Sequence, residues 1–194
     1  MRIEQRQPTQ QLGLDDDLLD RVFAARGISD PSQLERGLVN LLSPADLPEI
    51  DIAAARLADA DEQNQKILIV GDFDADGATS VALCLLALRA MGAVNVDFLV
   101  PNRFDYGYGL SPEIVQLAAT LAPNVIVTVD NGVASVDGVA LANEAGIDVV
   151  VTDHHLPGDV LPDAHALVNP NVGDNAFASK SMAGVGVAYY LLRW

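Results

Sequence analysis

From Lys66 onward the chain alternates short apolar runs with helical stretches, and this alternation most narrows what it can fold into. "ILIV" (67–70), "VNVDFLV" (94–100), "VIVTV" (125–129), "DVVV" (148–151) and "ALV" (166–168) read as strands. Between them lie "ATSVALCLLALRAM" (78–91), stopped by Gly92, "SPEIVQLAATLA" (111–122) and "SVDGVALANEAG" (135–146). Ser111 suits an N-cap and Pro112 the first helical turn. Uniformly apolar strands separated by helices predict an α/β fold, a parallel β-sheet with helices on both faces. The 194 residues fit one domain, or one domain with a small appendage.

Residues 1–64 have a different grammar and predict a small helical N-terminal segment ahead of the α/β domain at 65–194. "DDDLLDRVFAARG" places Asp15, Asp16 and Asp17 at a helix start and Gly27 at its end. "DPSQLERGLVNLL" and "DIAAARLADADEQ" share its character, with breaks at Pro31, Pro44 and Pro48. The N-terminal "MRIEQRQPTQQ" has no apolar core of a leader, and no apolar run reaches membrane-spanning length. The expectation is a cytoplasmic protein with no membrane partner. Cys84 stands alone in an apolar run, which reads as a buried structural thiol.

Ligands of open α/β sheets gather beyond the carboxyl ends of the strands. There, strand 67–70 runs into Asp72, Asp74 and Asp76, strand 125–129 into Asp130, and strand 148–151 into Asp153, His154 and His155. The strand before Pro101 leads into "NRFDYGYGLS", a Gly- and Tyr-rich loop carrying Arg103 and Tyr108. An aspartate at a strand end is often only a helix cap, and a lone histidine is usually structural. Three acid clusters with a His pair at one edge would repel one another unless cations lay between them. Carboxylate with imidazole suits Mn²⁺ or Mg²⁺, and two such ions could activate water and neutralise a phosphate.

"GDFDADGATS" (71–80) allows other readings. As a calcium loop beginning at Asp72, its twelfth position would be Leu83 where a glutamate is needed, and a strand precedes it instead of a helix. As an aspartate-nucleophile phosphatase, Asp74 would attack and Asp76 act as general acid, aided by Lys66 or Lys180; that leaves "TDHH" without a task. A non-catalytic module holding a structural ion is a third reading. The net charge of −16 argues against nonspecific coating of nucleic acid but leaves room for a nuclease whose metals reverse the local sign.

"VGDFDADG", "VTVDNG" and "VTDHH", in this order, resemble the DHH phosphoesterase family. "VPNRFDYGYGLS", "LVNPN" and "SMAGVGVAYYLL" are similar to its RecJ-type branch, single-strand-specific 5′→3′ exonucleases of DNA repair and recombination. The resemblance implies a two-metal site that prefers Mn²⁺ or Mg²⁺ and hydrolyses phosphodiesters with a metal-activated water. It implies Asp72, Asp74, Asp76, Asp130 and His154 as metal ligands. Asp74, Asp76, Asp130, His154 and His155 would be catalytic, and Asp153 would orient a histidine. Arg103, Tyr108 and His155 would meet the substrate. Many relatives carry a histidine where this chain has Val70.

The resemblance also implies a further aspartate after "AGVGVA" and an associated substrate-binding domain. On this expectation the chain is a C-terminally truncated portion with an incomplete second metal site, weakly active or inactive by itself. The full-length protein would act as a monomer on single-stranded DNA. A DHH enzyme for small substrates (pyrophosphate, short oligonucleotides or cyclic dinucleotides) is the alternative within the family.

Overall fold

A computed structural model describes residues 8, 10–35 and 37–194, and it divides into two compact units, 1–42 and 43–194. The stretch read as leaderless lies mostly outside the described residues. In the first unit, helix α1 (Asp17–Ala25) begins at Asp16, whose carboxylate accepts from the amides of Leu18 and Leu19. Buried Asp20 accepts from the Leu12 and Leu14 amides, and these bonds hold its pKa below the usual carboxylate range.

The helix expected over 30–42 does not form. The described residues there make two 3₁₀ turns, Pro31–Leu34 and Leu38–Asn40. Asp30 and Gln33 close a reciprocal capping box on the first, satisfying end groups of a single turn so that nothing demands a longer helix. The expected boundary also moves. Helix α2 (Ile50–Glu62) belongs to the unit that begins at Ser43, where it packs against the sheet.

That sheet has five parallel strands: β1 (Ile67–Gly71), β2 (Val96–Leu99), β3 (Val125–Val129), β4 (Asp148–Thr152) and β5 (Ala166–Val168). Their order is β2-β1-β3-β4-β5. The apolar runs are uninterrupted because both faces of each central strand are buried, which leaves no polar alternation to read. Leu68, Val70, Ile126, Val149 and Val151 face a core closed by helices α5 (Pro112–Ala119) and α6 (Val136–Glu144). The alternate residues, including Ile67, Ile69, Val127 and Val150, serve the other face, covered by α2, α3 (Ala75–Met91) and α7 (Gly184–Arg193).

Helix α3, apolar on most sides in sequence, buries only one stripe: Gly77, Ser80, Val81, Cys84 and Leu88. Burial pushes the Cys84 thiol up to about 12, in keeping with a structural role. The loop expected at 102–111 contains a one-turn helix, α4 (Arg103–Tyr106), capped by Asn102. Among the described residues no helix is long and apolar enough to cross a membrane.

Candidate metal centre

Register decides what meets at the carboxyl edge. Gly71 pairs with Val129, and Val129 with Thr152. The next residues, Asp72, Asp130 and Asp153, therefore leave three neighbouring strands at one level. The ladder continues past the strands: the Asp130 amide donates to the Thr152 carbonyl (3.0 Å) and the Asp153 amide to the Val168 carbonyl (3.1 Å).

Asp130 turns the chain with φ of 63°, a left-handed conformation that aspartate tolerates better than most side chains. Gly132 follows at φ of 117°, and a Cβ there would lie 2.5 Å from Thr128 Oγ1, so the glycine of "VDNG" is needed for both angle and space. Asn131 ties the turn to two strands by donating to the Val70 (3.3 Å) and Val129 (3.0 Å) carbonyls.

One ligand atom from each of Asp130, His154 and His155 lies within 4.8 Å of the others. His154 Nε2 is 3.0 Å from Asp130 Oδ1 and 3.7 Å from Asp76 Oδ2. Although so close to the imidazole, Asp130 Oδ1 is buried without a hydrogen-bond donor. Burial, and then the charges of Asp76 and Asp74, push the Asp130 carboxyl up to about 7. A buried acid with an orphaned oxygen facing imidazole nitrogen is a donor set that a divalent cation would satisfy.

Asp153 is buried and its oxygens are spent on its neighbours. It accepts from the Val133 amide (2.8 Å), the amides of His154 (2.7 Å) and His155 (3.1 Å), and His155 Nδ1 (2.8 Å). That fixes the His155 ring and leaves its Nε2 as the available ring nitrogen. Burial works against the His155 imidazolium, but the Asp153 hydrogen bond and charge, with Asp130 and Asp74, raise its pKa on balance. Tyr108 donates its hydroxyl to the Asp130 carbonyl (3.1 Å) and meets the His155 ring edge-on. Burial, with Asp153, Asp130 and Asp72, raises the Tyr108 pKa and keeps the phenol protonated.

The first acid cluster divides its labour differently from the expectation. Asp72 does not join the convergent trio: one oxygen accepts from the Phe73 amide (2.8 Å) and the other pairs with Arg103. The Arg103 guanidinium also lies over the Phe73 and Tyr108 rings, 4.7 and 5.0 Å from their centroids. An extra anion at Asp72 is therefore compensated by an arginine from the next loop. Asp74, not Asp72, caps α3, accepting from the Gly77 amide (2.9 Å). Asp76 reaches across to α7, accepting from the Gly184 and Val185 amides, both at 2.8 Å.

Sequence reasoning missed two asparagines in "LVNPN". Asn169 donates to the His155 carbonyl (3.0 Å) and Asn171 to the His154 carbonyl (2.7 Å), so each histidine has its own backbone tether. The block was visible in the sequence, but its partners were not. On the α5–α6 side of His155 a cleft of about 290 Å³ opens, lined by Tyr108, Ser111, Gly132, Ser135 and Asp153 among others. The lysines that a phosphatase reading requires are elsewhere. Lys66 pairs with Asp97 (3.5 Å), and Lys180 donates to the Pro170 and Asn175 carbonyls.

Residues 66–193 match the DHH family, N-terminal domain. The chain belongs to the DHH family. This DHH chain is 55% identical over 190 residues to the single-stranded-DNA-specific exonuclease RecJ of Dickeya dadantii, covering 96% of the chain and 33% of that protein. It is 54% identical over 175 residues to RecJ of Salmonella typhimurium, covering 90% and 30%. A crystal structure of exonuclease RecJ bound to manganese superposes with a TM-score of 0.70 at 36% identity, over 78% of this chain and 38% of that one. The DHH chain thus spans about a third of the length of the curated relatives it matches. The parallel five-stranded sheet with helices is the α/β architecture expected from sequence.

Proposed function

We propose that this chain carries the metal centre of a phosphodiesterase that hydrolyses single-stranded DNA from its 5′ end, in repair and recombination in the cytoplasm. The observation that carries the reading is the convergence of Asp130, His154 and His155 at the sheet's carboxyl edge, with the Asp130 oxygen left unpartnered. The single-stranded-DNA-specific exonuclease activity of the relatives and the manganese of the solved relative support it.

In this reading Asp130, His154 and Asp76 hold a divalent ion, with Asp74 beside them and His155 at the substrate side. Bound Mn²⁺ or Mg²⁺ supplies Lewis acidity, lowering the pKa of a coordinated water and neutralising phosphate charge. The chain's own residues do the rest. Asp153 fixes the His155 ring and leaves its Nε2 free to meet a phosphate oxygen. Arg103, held by Asp72 and two aromatic rings, brings a cation to the same edge, where Tyr108 also presents a ring. A second ion, the full-length protein and a monomeric state are parts of the proposal.

The net charge of −16 favours a second reading, a substrate with few phosphates. Hydrolysis by the full-length protein of a long 5′-labelled single strand, a dinucleotide and pyrophosphate, each with Mn²⁺ and with chelator, separates the two. Release of mononucleotides from the long strand with Mn²⁺ is expected. Turnover of pyrophosphate or the dinucleotide with the strand left intact would replace the proposal with the second reading.

A further inference from the structure

Helix α7 starts against the metal centre. The first amides of a helix have no partners within it and carry its positive dipole end. Here those of Gly184 and Val185 each donate to one oxygen of Asp76 at 2.8 Å, 108 and 109 residues away in sequence. Such charge-assisted bonds are short and directional. They use two of the roughly four lone-pair sites of a carboxylate, so Asp76 is clamped and can still face a cation.

The clamp depends on one missing carbon. A Cβ on Gly184 would lie 2.5 Å from Asp130 Oδ1, 2.7 Å from Asp130 Cβ and 2.8 Å from Asp130 Cγ. Asp130 has little freedom to yield. It is 2% exposed, its amide donates to the Thr152 carbonyl, and its own carbonyl accepts the Tyr108 hydroxyl. Gly186, in the same turn, makes a useful contrast. A Cβ there would meet Met182 Cγ at 2.6 Å and Sδ at 2.9 Å, atoms of a flexible side chain that can swing away.

We propose that Gly184 is a positioning residue of the metal centre, an inference that rests on the metal-binding reading above. Without a side chain, the start of α7 packs directly on Asp130 while its amides hold Asp76, which fixes the two carboxylates relative to each other. A methyl group at 184 forces one of two outcomes. Either α7 withdraws and Asp76 loses its donors, or Asp130 rotates away from His154. Both misalign the donor set without removing a ligand.

The test is Mn²⁺ titration, by calorimetry and by electron paramagnetic resonance, of the unaltered chain, Gly184→Ala and Gly186→Ala. Gly184→Ala should bind Mn²⁺ about ten-fold or more weakly, as loss of an orienting partner does, with a changed spectrum of the bound ion. Gly186→Ala should match the unaltered chain. Equal affinity and an unchanged spectrum in Gly184→Ala would overturn the inference. No Mn²⁺ binding by the unaltered chain would overturn the metal-centre reading itself, and the inference with it.

If Gly184→Ala does not fold, amide hydrogen exchange in the unaltered chain decides. The Gly184 and Val185 amides should exchange slowly, and fast in Asp76→Ala. The first amides of α6, which has no side-chain cap, supply the fast reference. Exchange at 184 and 185 as fast as in α6 would refute the clamp.

Discussion

The two edges of the sheet handle acidic residues in opposite ways. At the amino edge two carboxylates have cations beside them. Arg56 Nε lies 2.6 Å from Asp148 and its guanidinium also donates to Gln65, while Lys66 pairs with Asp97. At the carboxyl edge Asp72, Asp74, Asp76, Asp130 and Asp153 gather around one arginine and two histidines, and Asp130 keeps an unpartnered oxygen. Both edges belong to the same strands, so the difference is not one of fold. The two amino-edge pairs are satisfied within the fold, whereas the carboxyl edge leaves an acidic oxygen open at the place where the cation proposed above would bind.

The largest expected break in this contrast is Asp130→Ala. Loss of several kcal/mol of transition-state stabilisation from a metal centre should lower Mn²⁺-dependent hydrolysis by about 10³-fold or more. Rates of the full-length protein on single-stranded DNA with Mn²⁺ held in excess will show this. An unimpaired variant would remove Asp130 from the centre. Asp153→Asn replaces one accepting oxygen with a donor and weakens the orientation of His155, so a smaller loss is expected, about 10- to 100-fold.

The pH dependence of stability sharpens the comparison. The Asp130 carboxyl is raised to about 7 from an ordinary value near 3.8. The folded state therefore binds more protons than the unfolded state between these values. The metal-free chain should lose stability from this group as pH rises through that window. A cation that binds the anionic form reverses the effect, so the gain in melting temperature on adding Mn²⁺ should be larger at pH 8 than at pH 5. An equal gain at both would contradict it.

The amino edge should respond only in stability. Arg56→Ala removes a half-buried ion pair and should cost about 1 kcal/mol in urea denaturation, leaving hydrolysis unchanged. Lys66→Ala breaks a longer and more exposed pair and should change stability by less than about 0.5 kcal/mol.

Where the chemistry is local in sequence, the residues announced it. The strands were readable because burial on both faces leaves continuous apolar runs, and β3 and β5 have the limits expected. The contact between Asp153 and His155, which the family resemblance implied, joins residues only two positions apart. The expected helix at 30–42 failed although its cause is also local: residues of moderate helical preference close into single turns when a capping box satisfies them. Asp72 was expected among the ligands together with its neighbours, and in the structure its carboxylate pairs with Arg103. Its partner Arg103 comes from a loop 31 residues away.

The sequence by itself determined the alternation of strand and helix, and with it a parallel sheet whose carboxyl edge collects acids and imidazoles. Pattern and chain direction suffice for that, since every parallel strand delivers its next residue to the same side. Only the tertiary structure decided which acids face one another. Strand register set Asp130 beside His154, α7 claimed Asp76 through its first amides, and Arg103 drew Asp72 aside. Those choices rest on contacts between distant segments, whose geometry is fixed when the helices pack onto the sheet and cannot be read from spacing along the chain.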